Sequence, residues 1–151
     1  MKPDYDEMLA HLATRYLDTN DSDDFFRQLK FARDTAIIRL LKVGLSLREV
    51  ANLDAGQIKR LPVPRQEAAG TVTHSIEVIR NQPIQISLDA AAVKSLHHYL
   101  MLRGSQKRTI FLRIRKQTPI SHTDIAIMLN EIRRALPAQL SPKTETLKGA
   151  K

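Results

Sequence analysis

The stretch from Phe25 to Val43, FFRQLKFARDTAIIRLLKV, constrains this chain more than any other. Its apolar residues Phe25, Phe26, Leu29, Phe31, Ala32, Ala36, Ile37, Ile38, Leu40 and Leu41 recur at helical spacing yet spread well beyond one stripe. A helix that is apolar on several sides has to be surrounded by other elements, so it predicts a central helix and a layered fold built around it. Asp21, Ser22 or Asp23 can cap its start, and Gly44 closes it as a C-terminal glycine does.

The covering elements are legible on both sides. Residues 5 to 17 place Met8, Leu9, Leu12 and Tyr16 at helical spacing before DTNDSDD breaks the pattern. Ser46-Leu47-Arg48-Glu49 is a capping-box sequence that opens a helix through about Leu53. Asp89 caps a helix to about Arg103, with Ala92, Val93, Leu96, Tyr99 and Leu100 as its core-facing seam. Ser121 caps a last helix carrying Ile125, Met128, Leu129 and Ile132, which Pro137 stops.

Between these helices the pattern changes to β. LPVPRQEAAG, from Leu61 to Gly70, reads as a connector. TVTHSIEVI alternates and is β-branched, Arg80-Asn81-Gln82-Pro83 supplies a turn, and IQISL returns as a second strand. RTIFLRI, residues 108 to 114, reads as a third strand, with RKQTPI as its exit turn. The predicted class is therefore α+β, mostly helical, with a small three-stranded antiparallel sheet. Residues 1–21 form an N-terminal helical extension, 22–136 the domain, and 137–151 a tail expected to be poorly ordered.

Composition limits the function. The chain has 151 residues, 42% of them hydrophobic, which is enough for a core without metals or disulfides. Cysteine is absent, which excludes disulfide frameworks, thiolate metal sites and cysteine nucleophiles together. No stretch approaches the roughly 18 apolar residues of a membrane span, and MKPDYDEML has no basic segment followed by an apolar run, so a cytoplasmic location and no membrane partner are expected. The formal net charge of +8 favours an anionic partner, nucleic acid ahead of membrane. That charge is local: residues 1 to 24 are acidic, whereas 103 to 118 hold Arg103, Lys107, Arg108, Arg113, Arg115 and Lys116 with no acid.

Other chemistries find no footing. His97 and His98 are adjacent on a helix and point about 100° apart, so they cannot share a metal. His11, His74 and His122 have no acidic or histidine partner at ligand spacing, and no metal or cofactor is expected. Leu47 to Lys59 can be read as a helix-turn-helix, but its glycine is Gly56, one residue later than that motif places it after a small residue such as Ala51. No glycine-rich phosphate loop, zinc-protease helix or serine elbow occurs.

The segment RDTAIIRLLKVGLSLREVANL, residues 33–53, resembles the first conserved box of the tyrosine recombinases, the phage integrase family. Gln57-Ile58, then Ile84-Gln85-Ile86-Ser87-Leu88, Ile110-Phe111-Leu112 and Thr118-Pro119-Ile120-Ser121 resemble later family segments in the same order, over about residues 22 to 145. The resemblance implies part of that family's catalytic domain, double-stranded DNA as partner, and a recombinase or other DNA-bound protein as a second one, in the setting of a mobile element. It also implies an inactive site. The family's first catalytic arginine falls on Ser46, with Arg48 two residues further on, and its catalytic lysine falls in the hairpin, which offers Arg80; arginine holds its proton too tightly to act as an acid. Ser141-Pro142-Lys143-Thr144-Glu145-Thr146 resembles a later motif, with Lys143 at a histidine-or-lysine position and Thr146 where an arginine belongs, and no segment matches the tyrosine nucleophile. The expected DNA contacts are Arg80, Lys107, Arg108, Arg113, Arg115, Lys116 and Lys143, with no catalytic residue. Two alternatives are a piece of a longer, active integrase and a protein-interaction module that kept the fold without DNA binding.

Overall fold

A computed structural model describes residues 4–18, 25–62, 72–104 and 108–136. The chain is α+β and mostly helical. Its elements are α1 (Tyr5–Asp18), α2 (Phe25–Lys42), α3 (Leu47–Ala51), a 3-10 turn (Ala55–Gln57), β1 (Ile58–Pro62), β2 (Val72–Arg80), β3 (Gln82–Ser87), α4 (Ala90–Arg103) and α5 (His122–Ala135). Among the described residues no helix is long and apolar enough to cross a membrane. Lys107, Pro137, Lys143, the candidate caps Asp21, Ser22 and Asp23, and the tail from 137 lie outside the described residues.

Helix α2 is central, as its composition requires. Leu29, Ala32, Ala36, Ile37, Ile38, Leu40 and Leu41 are buried, and α1, α3 and α4 pack around it while α5 closes against α1 and α3. Phe25, expected in that core, is instead 47% exposed at the first turn, where its ring meets Phe26 edge-on at 5.8 Å. Arg33 and Asp34, by contrast, are charged and yet buried in α2. Burying a lone charge is costly, and the helix offsets the cost locally. The Arg33 guanidinium holds Asp34 Oδ1 at 2.8–2.9 Å, Lys30 Nζ reaches Asp34 Oδ2 at 2.7 Å from the preceding turn, and Arg33 also donates to the Leu112 carbonyl at 3.4 Å.

The helix ends as a glycine-terminated helix should. Leu45 N donates to Leu40 O and Gly44 N to Leu41 O, with Gly44 at φ +121, where a side chain would be strained. Leu40 and Leu45, the pair that this motif brings together, are both buried. Ser46 then caps α3: its Oγ accepts from Glu49 N at 3.1 Å while Glu49 Oε1 accepts from Ser46 N at 2.9 Å. Two further boxes repeat the device, Ser121 with Asp124 before α5 and Asp54 with Gln57 at the 3-10 turn. Of these, only Ser121 as a cap was expected from the sequence.

The sheet is antiparallel in the order β1-β2-β3, and it corrects the expected strand set. Residues 108–114 do not form a strand; they make only isolated bridges, Asp54 to Thr109 and Leu112 to Pro119. The reason lies in where the backbone bonds go: Ile110 N donates to Leu53 O, Leu112 N to the Tyr99 hydroxyl and Arg113 N to Thr118 O, so the amides are divided among separate partners and no continuous ladder forms. The third strand is β1, and Leu61 and Pro62, expected in the connector, complete it opposite Thr73 and Val72. The hairpin turn is also tighter than expected: Asn81 sits alone at φ 72 between Arg80 and Gln82, which pair with each other. Pro83 therefore belongs to β3, which it can do because β3 is an edge strand. Ile76 and Val78 on β2, with Ile84 and Ile86 opposite them on β3, present the apolar face to the core.

Candidate nucleic-acid interface

Each described residue of the expected DNA surface has a definite structural setting. Arg80, at the end of β2 beside the hairpin turn, reaches back to the start of α3. Its Nε donates to Glu49 Oε2 at 2.8 Å and its Nη2 to Glu49 Oε1 at 2.6 Å and to the Gly44 carbonyl at 2.9 Å. This fork-on-carboxylate arrangement is the strongest ion-pair geometry available to arginine. One guanidinium thus ties the hairpin tip to the end of α2 and the cap of α3. Arg80 and Ser46's capping amide together hold the Glu49 carboxyl down to about 2 from 4.5, the arginine contributing most, and Arg80 is raised in turn by Glu49.

The sign of the resulting pH dependence follows directly. Glu49 has a folded value below its unfolded one, so its contribution to stability is present above about 4.5 and disappears as the pH falls toward 2. Glu49→Gln is expected to flatten the fall in unfolding free energy over that window, and Arg80→Met to flatten it as well, read from urea unfolding at a series of pH values. Equal acid slopes in the parent and both variants would show that the pair contributes nothing in solution.

Arg108 and Arg113 repeat the pattern at weaker, more exposed sites. Arg108 Nη2 meets Asp54 Oδ1 at 2.7 Å, and Gly56 gives it room, since a Cβ there would stand 2.9 Å from that nitrogen. The Asp54 carboxyl is held below its usual value first by the Gly56 amide and then by Arg108. Arg113 Nε meets Asp124 Oδ2 at 3.0 Å, and Asp124 is lowered first by the Ser121 amide and then by Arg113. In both cases a helix- or turn-capping carboxylate is also the counter-ion.

Arg115 and Lys116 differ. Among the described residues neither has an ion pair: Arg115 lies over the Phe26 ring at 4.2 Å from its centroid, a cation–π contact, and Lys116 is exposed. Both sit at the tip of a closed loop: Arg113 N donates to Thr118 O at 2.8 Å, Gln117 N to Arg113 O at 3.0 Å, and Gln117 takes φ 58. The loop's base is fixed in the core, where Leu112 N donates to the Tyr99 hydroxyl at 3.1 Å and Phe111 stacks on Tyr99 at 5.3 Å. The tip therefore presents two cationic side chains on a loop whose base is held in the core.

Ser46, where the resemblance puts an arginine, is spent on capping α3, and Arg48 is an exposed residue of that helix. Sequence reasoning missed the buried Arg33–Asp34 pair, although charges inside a run of buried apolar residues are a signal that a partner is nearby. It also missed Glu49 as the counter-ion of Arg80, for which nothing local gives a cue. Among the described residues, no group of three or more histidine and acidic side chains is placed to hold a metal. No family model matches the chain, and no curated protein or solved structure does.

Proposed function

We propose that this chain is a catalytically inactive, tyrosine-recombinase-like protein that contacts double-stranded DNA or acts as an accessory to a DNA-bound protein of a mobile element. The observation that carries the reading is the loop of residues 113–118, which holds Arg115 and Lys116 without an ion pair among the described residues, on a base fixed in the core, in a chain of net charge +8. Inactivity is supported by the two positions that the resemblance makes catalytic. Ser46 is a helix cap, and Arg80 is closed onto Glu49, so neither presents a charge to a scissile phosphate in this arrangement. The ordered likeness of residues 33–53, 84–88, 110–112 and 118–121 to the family supports the fold assignment.

The test is a titration of duplex DNA at several salt concentrations. Binding is expected to weaken with salt. Arg113→Ala, Arg115→Ala and Lys116→Ala together are expected to lower the slope of log affinity by about 0.9 for each phosphate that is no longer neutralised, reducing affinity for all sequences alike. Arg80→Met is expected to change DNA affinity much less, because its charge is already cancelled by Glu49. Samples denatured after incubation are expected to carry no covalent protein–DNA adduct. A triple variant that binds as tightly as the parent, with the same salt slope, removes the DNA reading and favours the interaction module.

A further inference from the structure

At the far end of the hairpin from Arg80 the molecule carries a second, chemically different surface. Leu88 N donates to His74 O there, and His74 lies six positions before Arg80 along β2, about 20 Å of strand. Helix α4 runs beside this end and leaves a groove of about 720 Å³ whose walls are Leu88, Ala90, Val93 and Met101, with Lys94, His74, His97 and His98 among them. Met101 is 71% exposed, an uncommon position for an unbranched apolar side chain that adapts readily to a partner's shape. Among the described residues no carboxylate lines the groove; the nearby Asp89 is exposed at its edge, where its Oδ1 caps α4 by accepting from Ala92 N at 2.8 Å. Lys94 and His98 also border a smaller depression of about 240 Å³ toward α2, formed by Phe31, Ala32, Thr35 and Ser95. The exposed face of α4 is therefore a ridge bearing an ammonium, two imidazoles and a methionine, flanked by a hollow on each side.

We infer that this groove is a docking site for an acidic, amphipathic segment of a partner protein, its apolar side chains against Leu88, Val93 and Met101 and its carboxylates against Lys94 and the histidines. The charge decides the partner's chemistry: one fixed cation and three imidazoles, with no acid among the described lining residues, match carboxylates and disfavour a basic segment. A surface of this kind does not suit duplex DNA, because its apolar walls gain nothing from phosphates. The proposal does not depend on the DNA-binding reading, since it uses different residues at the opposite end of the hairpin.

The experiment uses the whole chain, ¹⁵N-labelled, and three synthetic helical peptides of about 15 residues, long enough to form several turns. One carries leucines at i, i+4 and i+7 flanked by glutamates, the second has the glutamates replaced by lysines, and the third has the leucines replaced by alanines. Only the first is expected to bind saturably, with amide shifts at residues 88–101 and at His74 and none at 113–118. Lys94→Glu is expected to weaken it about tenfold and to let the lysine peptide bind instead, which mere loss of structure would not do. Met101→Glu is expected to weaken the first peptide to a similar degree with unchanged thermal unfolding, because the side chain is exposed. Equal binding of the glutamate and lysine peptides, no saturable binding of any, or shifts confined to 113–118 would overturn the proposal. So would a concentration-dependent dimer abolished by Met101→Glu, which would assign the groove to a second copy of this chain.

Discussion

Asp34→Ala is expected to destabilise the fold by about 3–5 kcal/mol, the usual cost of breaking a buried ion pair from one side. The substitution removes little volume but leaves the Arg33 side chain, only 9% exposed, without its counter-ion. Lys30→Ala, which removes a cation that is 55% exposed, is expected to cost less than about 1 kcal/mol. Changing both partners, Arg33→Met with Asp34→Leu, is expected to recover most of the loss, because no uncompensated charge then remains in the core. The recovery stops short of complete, since Arg33 also donates to the Leu112 carbonyl. Urea unfolding at neutral pH reads all four proteins. An Asp34→Ala protein within about 1 kcal/mol of the parent would mean that water reaches Arg33 and that the pair is not enclosed.

Phe111→Ala is the second large effect, also about 3–5 kcal/mol, because the ring is 0% exposed and its removal opens a cavity against Tyr99. Its interest lies in what accompanies the loss. Phe111 and Leu112 anchor the base of the loop carrying Arg113, Arg115 and Lys116, so the variant is expected to bind DNA more weakly than the parent even well below its unfolding temperature, although no charge has changed. Phe111→Leu keeps most of the packing and is expected to keep both properties nearly intact. Titrations of the three proteins under conditions where circular dichroism shows each folded separate the effects. Unchanged DNA affinity in a folded Phe111→Ala protein would show that the loop needs no anchoring to act.

What the sequence disclosed and what it concealed divide along the distance over which each interaction acts. The positions of α1 to α5, the capping box of Ser46 with Glu49 and the cap at Ser121 were legible, because each is decided within one turn of chain. The hairpin was legible for the same reason. The strand expected at 108–114 was misread because Arg108, Arg113 and Ile114 bracket three apolar residues in a way that imitates a buried strand, and only the packing against Tyr99 and Leu53 turns that run into an anchor. Strand β1 was hidden by its own composition, since Ile58-Lys59-Arg60-Leu61-Pro62 is short and ends at a proline. At the candidate interface the arginines were legible as residues but not as charges. Whether Arg80 is available depends on Glu49, 31 positions earlier, and no local pattern carries that.

Glu49 also bears on how the molecule comes apart. Its carboxylate is shared among the Ser46 amide, which starts α3, and the Arg80 guanidinium, which in turn holds the Gly44 carbonyl at the close of α2. Three segments, a helix end, a helix beginning and a hairpin tip, are bound to one another through one ion pair, Glu49 with Arg80. Loosening one of them therefore costs contacts of the others. A hairpin tip is ordinarily among the first parts of a domain to loosen; here opening at Asn81 has to give up the Arg80 contacts to Glu49 and the Gly44 carbonyl, so the turn is coupled to the α2–α3 junction, while the end of α2 keeps its own bonds from Gly44 N to Leu41 O and Leu45 N to Leu40 O.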